Sequence, residues 1–205
     1  ADEIFYQDVV ASLYGRNSLH KIISNTVKNV FIPLTVGGGI RTIKDIEKIL
    51  KSGADRVSIN SAALENPILI KEASKIFGSS TIVIAIEAIK QQNGEYLAFK
   101  NNGREKTENN VIEWVKKAEE FGAGEILLTS VDQEGTGKGM NIDLVEKVSQ
   151  AVSIPIICHG GAGNKSDILD VVKKVNVSGV AISSIFHYEF LLKKQNRSFE
   201  ISSGN

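Results

Sequence analysis

Short runs of β-branched and aliphatic residues alternate along the chain with longer segments whose apolar positions recur at helical spacing, the pattern expected of βαβ units around a parallel sheet. Seven runs predict strands: Ile4 to Val10, Ile32 to Val36, Arg56 to Asn60, Thr81 to Glu87, Glu125 to Ser130, Ile154 to His159 and Ser178 to Ser183. They are apolar enough for a sheet covered on both faces. Helical patterns are clearest over Thr42 to Ser52, Pro67 to Phe77, Val111 to Gly122, Ile142 to Ala151 and Lys165 to Val175. Thr42 and Asn164 stand where N-caps belong, and Gly53 and Gly122 where helices end. The rhythm breaks at Gln91 to Asn110, where Asn93-Gly94 and Asn102-Gly103 flank Glu95 to Lys100 and predict a hairpin inserted after a strand.

The same pattern repeats at a shift of 122 residues, which lays Ile32-Pro33 on Ile154-Pro155, Glu3-Ile4 on Glu125-Ile126 and Gly38-Gly39 on Gly160-Gly161. A later strand in each half ends in small polar residues, Asn60-Ser61 and Ser183-Ser184. Two similar halves of about four βα units each predict an α/β fold, a (β/α)₈ barrel built from two half-barrels. The strand Thr81 to Glu87 opens the second half, and its counterpart would fall before Ala1. The expectation is therefore a single barrel domain over residues 1–195 that lacks the first βα unit, in a native protein longer at its N-terminus, followed by a polar tail over residues 196–205.

Lys plus Arg is 24 and Asp plus Glu is 24, so no basic excess is available to neutralise a run of phosphates, and nucleic acid is not an expected partner. Cys158 is the single cysteine, which excludes an internal disulfide and fits a reducing cytoplasm. The chain opens without a cationic n-region, and its apolar runs stop far short of roughly 20 residues, so neither a signal peptide nor a membrane span is expected. Cytoplasmic localisation follows as the expectation.

In such barrels the chemistry sits at the C-terminal ends of the strands. The candidates there are Asp8, Gly38, Gly39, Asn60, Ser61, Glu87, Thr129, Glu134, Gly135, His159, Gly160, Gly161, Ser183 and Ser184. Glycines let backbone N–H groups approach an anion, and a following helix N-terminus adds its dipole. A glycine pair with a hydroxyl or amide pair in each half predicts two phosphate pockets on opposite sides of one mouth; the alternative is that the glycines only permit tight turns. Glu87 ends an apolar run, where partial desolvation would suit a general acid or base, or it is a solvated strand-end acid. His159 meets the ligand or is structural. At the opposite end Glu3, Arg56 and Glu125 begin strands; pointing inward they would form an ionic floor, and pointing outward they are ordinary solvated starts. The spacings suggest no metal site, and no cofactor is expected.

The blocks IPLTVGGGIRT, GADRVSINSAA, NPILIKEASKIFGS, GAGEILLTSVDQEGT and IPIICHGGAG with SSIFH resemble the cyclase subunits of imidazole glycerol phosphate synthase, the HisF family of histidine biosynthesis, over most of the chain. The sister phosphoribosyl isomerase shares the half-barrel plan, but GAGEILLTS and SIFH favour the cyclase. The resemblance implies a lyase that takes ammonia from a glutaminase partner, in a heterodimer, and cleaves a bisphosphorylated formimino-aminoimidazole-carboxamide ribonucleotide. It implies phosphate contacts at Gly39, Asn60 and Ser61 and at Glu134, Gly135, Gly161, Ser183 and Ser184, and an ammonia gate at Glu3, Arg56 and Glu125. The family's two catalytic aspartates end the first and fifth strands; the first position is absent here and the second is Glu87. His159 replaces the usual serine, Glu134 an aspartate and Met140-Asn141 a Tyr-Asp pair, while YQDVVASLYGRN stands in the first loop. These departures open two alternatives: an ammonia-channelling subunit acting on a sugar of surface polysaccharides, and a non-catalytic glutaminase-binding barrel.

Overall fold

The protein is described from a computed structural model covering residues 1–9, 19–186 and 190–191. Seven parallel strands, β1 (Ile4–Gln7), β2 (Leu34–Gly37), β3 (Arg56–Ile59), β4 (Ile82–Lys90), β7 (Glu125–Ser130), β8 (Ile156–His159) and β9 (Gly179–Ala181), pair in that order. The hairpin β5 (Tyr96–Lys100) and β6 (Glu105–Asn110) adds antiparallel to β4. Between the parallel strands run α1 (Leu19–Thr26), α2 (Ile43–Lys51), α3 (Ser61–Glu65), α4 (Ile68–Phe77), α5 (Val111–Glu120), α6 (Ile142–Ser149) and α7 (Lys165–Lys174). The described residues thus form seven parallel strands of a (β/α)₈ barrel architecture with one βα unit fewer than eight, and the main apolar core lies between strands and helices.

Alternation along the strands separates two environments. Ile84, Ile86, Ile126, Leu128 and Cys158 belong to the core packed against the helices. The intervening positions form rows in register: Ala85, Leu127, Ile157 and Gly179 in one, and Glu87, Thr129, His159 and Ala181 in the next row toward the strand C-termini.

The internal repeat is visible as matched contacts. Ile4 N–H donates to Pro33 O and Ile126 N–H to Pro155 O, both at 2.9 Å. Thr42 with Asp45 and Asn164 with Asp167 form capping boxes at the starts of α2 and α7, each satisfying orphan N–H groups on both sides of the cap. Gly38, at φ +102°, lies so close to Asp8 that an added Cβ would fall 2.2 Å from its carbonyl oxygen; Gly160, at φ +97°, lies 2.6 Å from the Ser130 oxygen by the same measure. Asp8 and Ser130, like the two glycines, are 122 residues apart.

All seven predicted strands and all five predicted helices are present, with differences at their ends. β1 stops at Gln7 rather than Val10, and β9 spans only Gly179–Ala181 of the expected Ser178 to Ser183. β4 runs past Glu87 to Lys90, because it continues beyond the barrel rim to pair with β5. Gly53 and Gly122 stand just past their helices at φ +110° and +95°, as expected. The five-residue α3 and the start of α1 at Leu19 carry too little periodicity to be read from the sequence. Most of the first loop, His187 of the SSIFH block and the tail over residues 196–205 lie outside the described residues. No helix among the described residues is long and apolar enough to cross a membrane.

Candidate functional site

Among the described residues, three adjoining spaces that share lining residues open at the C-terminal ends of the strands. The first, about 500 Å³, takes Asp8, Gly38, Gly39, Asn60, Ser61 and Glu87 into its lining. The second, about 510 Å³, takes Glu134, Gly135, His159, Gly160 and Gly161 with Ser183 and Ser184. Between them lies a cavity of about 280 Å³ that shares Gln7, Glu87 and Asn102 with the first and Glu134, His159 and Ser183 with the second; Thr129 also lines it. Every mouth residue singled out in the sequence therefore lines one of three adjoining spaces, and the two glycine–hydroxyl sets fall on opposite sides.

Glu87 is not at the end of its strand, contrary to the sequence reading. It sits within β4, in register with Phe99 on one side and Thr129 on the other. Its carboxylate accepts the Gly103 N–H at 2.7 Å, from the turn joining β5 to β6. Burial raises its pKa above the usual carboxylate value, against hydrogen bonds from Gly103 and Asn60, while the charge of Glu134 adds to the rise. The carboxylate is thus half-buried and hydrogen-bonded by the backbone.

His159 ends β8, as expected, and its Nδ1 lies 3.2 Å from Thr129 Oγ1. Burial lowers its pKa, partly offset by the Glu134 charge. Ser58 Oγ and Asn60 Oδ1, both on the first cavity, are buried with no hydrogen-bond partner among the described residues. Polar atoms in that condition are suited to a ligand that completes their bonding.

At the opposite end of the strands Arg56 Nη1 lies 2.6 Å from Glu125 Oε2 and 3.6 Å from Glu3 Oε2. Thr35 Oγ1 donates to Glu3 at 2.5 Å from a fully buried position on β2. The three charges thus meet as one cluster rather than as separate solvated strand starts. Glu125 is 8% exposed; burial raises its pKa and Arg56 opposes the rise.

The sequence matches the histidine biosynthesis protein family over residues 1–191. The chain belongs to this family. Imidazole glycerol phosphate synthase subunit HisF of Legionella pneumophila is 55% identical over 163 residues, 80% of this chain and 77% of its own. The HisF subunit of Bacillus cereus (strain G9842) is 47% identical over 188 residues, 92% of this chain and 75% of its own. That of Prochlorococcus marinus (strain AS9601) is 46% identical over 201 residues, 97% and 78% respectively. The chain spans about three quarters of the length of these HisF relatives.

For this HisF-family chain the sequence left one part of the site unread, the turn between β5 and β6. Asn101 N–H donates to Ser61 Oγ at 3.1 Å, and Asn102 Nδ2 to Val9 O at 2.8 Å. Asn101 and Asn102 hold φ of 54° and 59°, ahead of Gly103 at 72°, so the turn curls back across the mouth. It brings Arg104 to the first cavity, where Arg41 also lies. The dipeptide Asn102-Gly103 marked a turn, but nothing in it says over which surface the turn folds. Cys158, on the core side of β8, has its thiol pushed up to about 12 by burial and takes no part in the site.

Proposed function

We infer that the protein is the cyclase subunit of imidazole glycerol phosphate synthase, a lyase of histidine biosynthesis. It uses ammonia to convert the phosphoribulosyl-formimino-aminoimidazole-carboxamide ribonucleotide to imidazole glycerol phosphate and the aminoimidazole-carboxamide ribonucleotide. The observation that carries this reading is the pair of repeat-related pockets opening on one central cavity with a raised-pKa carboxyl in it. One phosphate of the ligand lies against Gly38, Gly39, Asn60 and Ser61, and the other against Gly135, Gly160, Gly161, Ser183 and Ser184. The reacting atoms then lie between, where Glu87 serves as the general acid and Asp8, Thr129, Glu134 and His159 complete the contacts.

Ammonia reaches this cavity from the opposite end of the barrel, past the cluster of Glu3, Arg56 and Glu125. A glutaminase subunit docks at that face and supplies it, and the pair works in the cytoplasm as a heterodimer. Residues 1–195 form the single barrel domain in this reading, and residues 196–205 its tail.

Binding tests the two-pocket arrangement directly. Ser61→Asp and Ser184→Asp each place a carboxylate against one phosphate, and like-charge juxtaposition of this kind costs several kcal/mol. Each is expected to raise the substrate KM by at least about tenfold and to weaken inhibition by inorganic phosphate, which no longer competes at the altered pocket. A substrate indifferent to one of the two substitutions would contradict the bisphosphate reading.

A further inference from the structure

We propose that His159 is a second proton-transfer residue of this site, facing the reacting carbon across the cavity from Glu87. The register places Glu87 on β4, Thr129 on β7 and His159 on β8 in one row, and all three side chains line the central cavity. Two strand spacings separate the outer members, roughly 10 Å between backbones, which leaves room for a substituted carbon between a carboxyl and an imidazole. Thr129 Oγ1 engages Nδ1 at 3.2 Å and so fixes the ring. Among the described residues Nε2 has no hydrogen-bond partner, and it is the nitrogen left to meet a ligand.

Among the described residues the ionisable groups on the central cavity are Glu87, Glu134 and His159. Glu134 faces His159 from the loop after β7, and Lys165 at the head of α7 shares the second cavity with it; β9 contributes no charge. Burial favours the neutral imidazole and the protonated Glu87, so the two groups stand ready as base and acid.

On the carbonyl of the phosphoribulosyl ligand, the proposal resting on the function inferred above, the nitrogen lone pair of ammonia forms the N–C bond while the C=O π pair moves to oxygen. That oxygen takes the Glu87 proton, and the nitrogen gives a proton to His159 Nε2. Water then leaves: His159 returns its proton to the departing hydroxyl, the nitrogen pair forms C=N, and one of the two remaining N–H protons goes to the Glu87 carboxylate. Both side chains end as they began.

The test is the pH dependence of ammonia-driven turnover at fixed free ammonia, for the wild type, His159→Gln and Thr129→Val. The wild type is expected to lose kcat at acid pH as His159 becomes protonated. His159→Gln should lower kcat by about 10²-fold with KM within about threefold and with that acid limb gone; Thr129→Val should keep the limb at a shifted pH. Turnover of His159→Gln within threefold of wild type, or a lower kcat with the acid limb retained, overturns the proposal. If the variant does not fold, ¹⁵N resonances of the wild-type imidazole decide: Nε2 must respond to added imidazole glycerol phosphate, and an unchanged signal overturns it. A wild-type protein that forms no product would remove the functional reading itself, a result distinct from a defect confined to the variant.

Discussion

At the scale of single residues, Glu87 joins stability to activity. Its folded pKa lies above its unfolded value, because burial penalises the charged form. Ionising it therefore costs folding free energy at pH above the unfolded value, and this cost vanishes where both states are protonated. Glu87→Gln is expected to unfold at higher urea than wild type at pH 8 and not at pH 3, while turnover falls by about 10²- to 10⁴-fold. Equal midpoints at pH 8 would contradict the burial of its charge. The acid was legible because it breaks an apolar run, Ile82 to Ile86. Its cover by Gly103 was not, since that contact depends on how a hairpin folds back. Gly160 gives a second test: φ +97° and the adjacent Ser130 carbonyl leave no room for a Cβ. Gly160→Ala should cost about 1–3 kcal/mol by urea unfolding and weaken phosphate binding in the second pocket.

At the scale of elements, the strands and most helices were legible because their periodicities differ and their caps are marked. Thr42 and Asn164 have the residue types of N-caps, and both form capping boxes with an aspartate three residues on. Thr42→Ala and Asn164→Ala are each expected to lose about 1 kcal/mol in urea unfolding, with little change in KM for Thr42→Ala, whereas Asn164 also lines the second pocket. Elements that depend on tertiary context were not legible. Helix α3, Ser61–Glu65, begins within the first pocket and is too short to show a face. The last three residues of β4 continue as strand because β5 pairs with them, a partner that periodicity does not reveal. The Asn-Gly pairs nonetheless placed both turns of the hairpin correctly.

At the scale of the whole molecule, the repeat organises two ends with opposite characters: an ionic floor and a mouth with paired pockets. Spacing of 122 residues made the two halves visible, but whether Glu3, Arg56 and Glu125 turned inward rested on distances between strands far apart in sequence. Removing the one cation of that cluster, by Arg56→Met, leaves Glu125 and Glu3 facing each other. Breaking a buried pair on one side is strongly destabilising, and with water reaching part of Arg56 the expected loss is about 2 kcal/mol near pH 7. The loss should fade as pH drops through the Glu125 titration, whose pKa burial already raises, and urea unfolding at two pH values measures it.

The most direct measurement supplies the full-length protein with ammonium at alkaline pH and the formimino ribonucleotide, and follows both products by chromatography. The expected result is imidazole glycerol phosphate and the aminoimidazole-carboxamide ribonucleotide in equal amounts, with turnover lowered about 10²- to 10⁴-fold by Glu87→Gln. Folded protein that binds the ribonucleotide and leaves it unchanged would contradict the cyclase assignment.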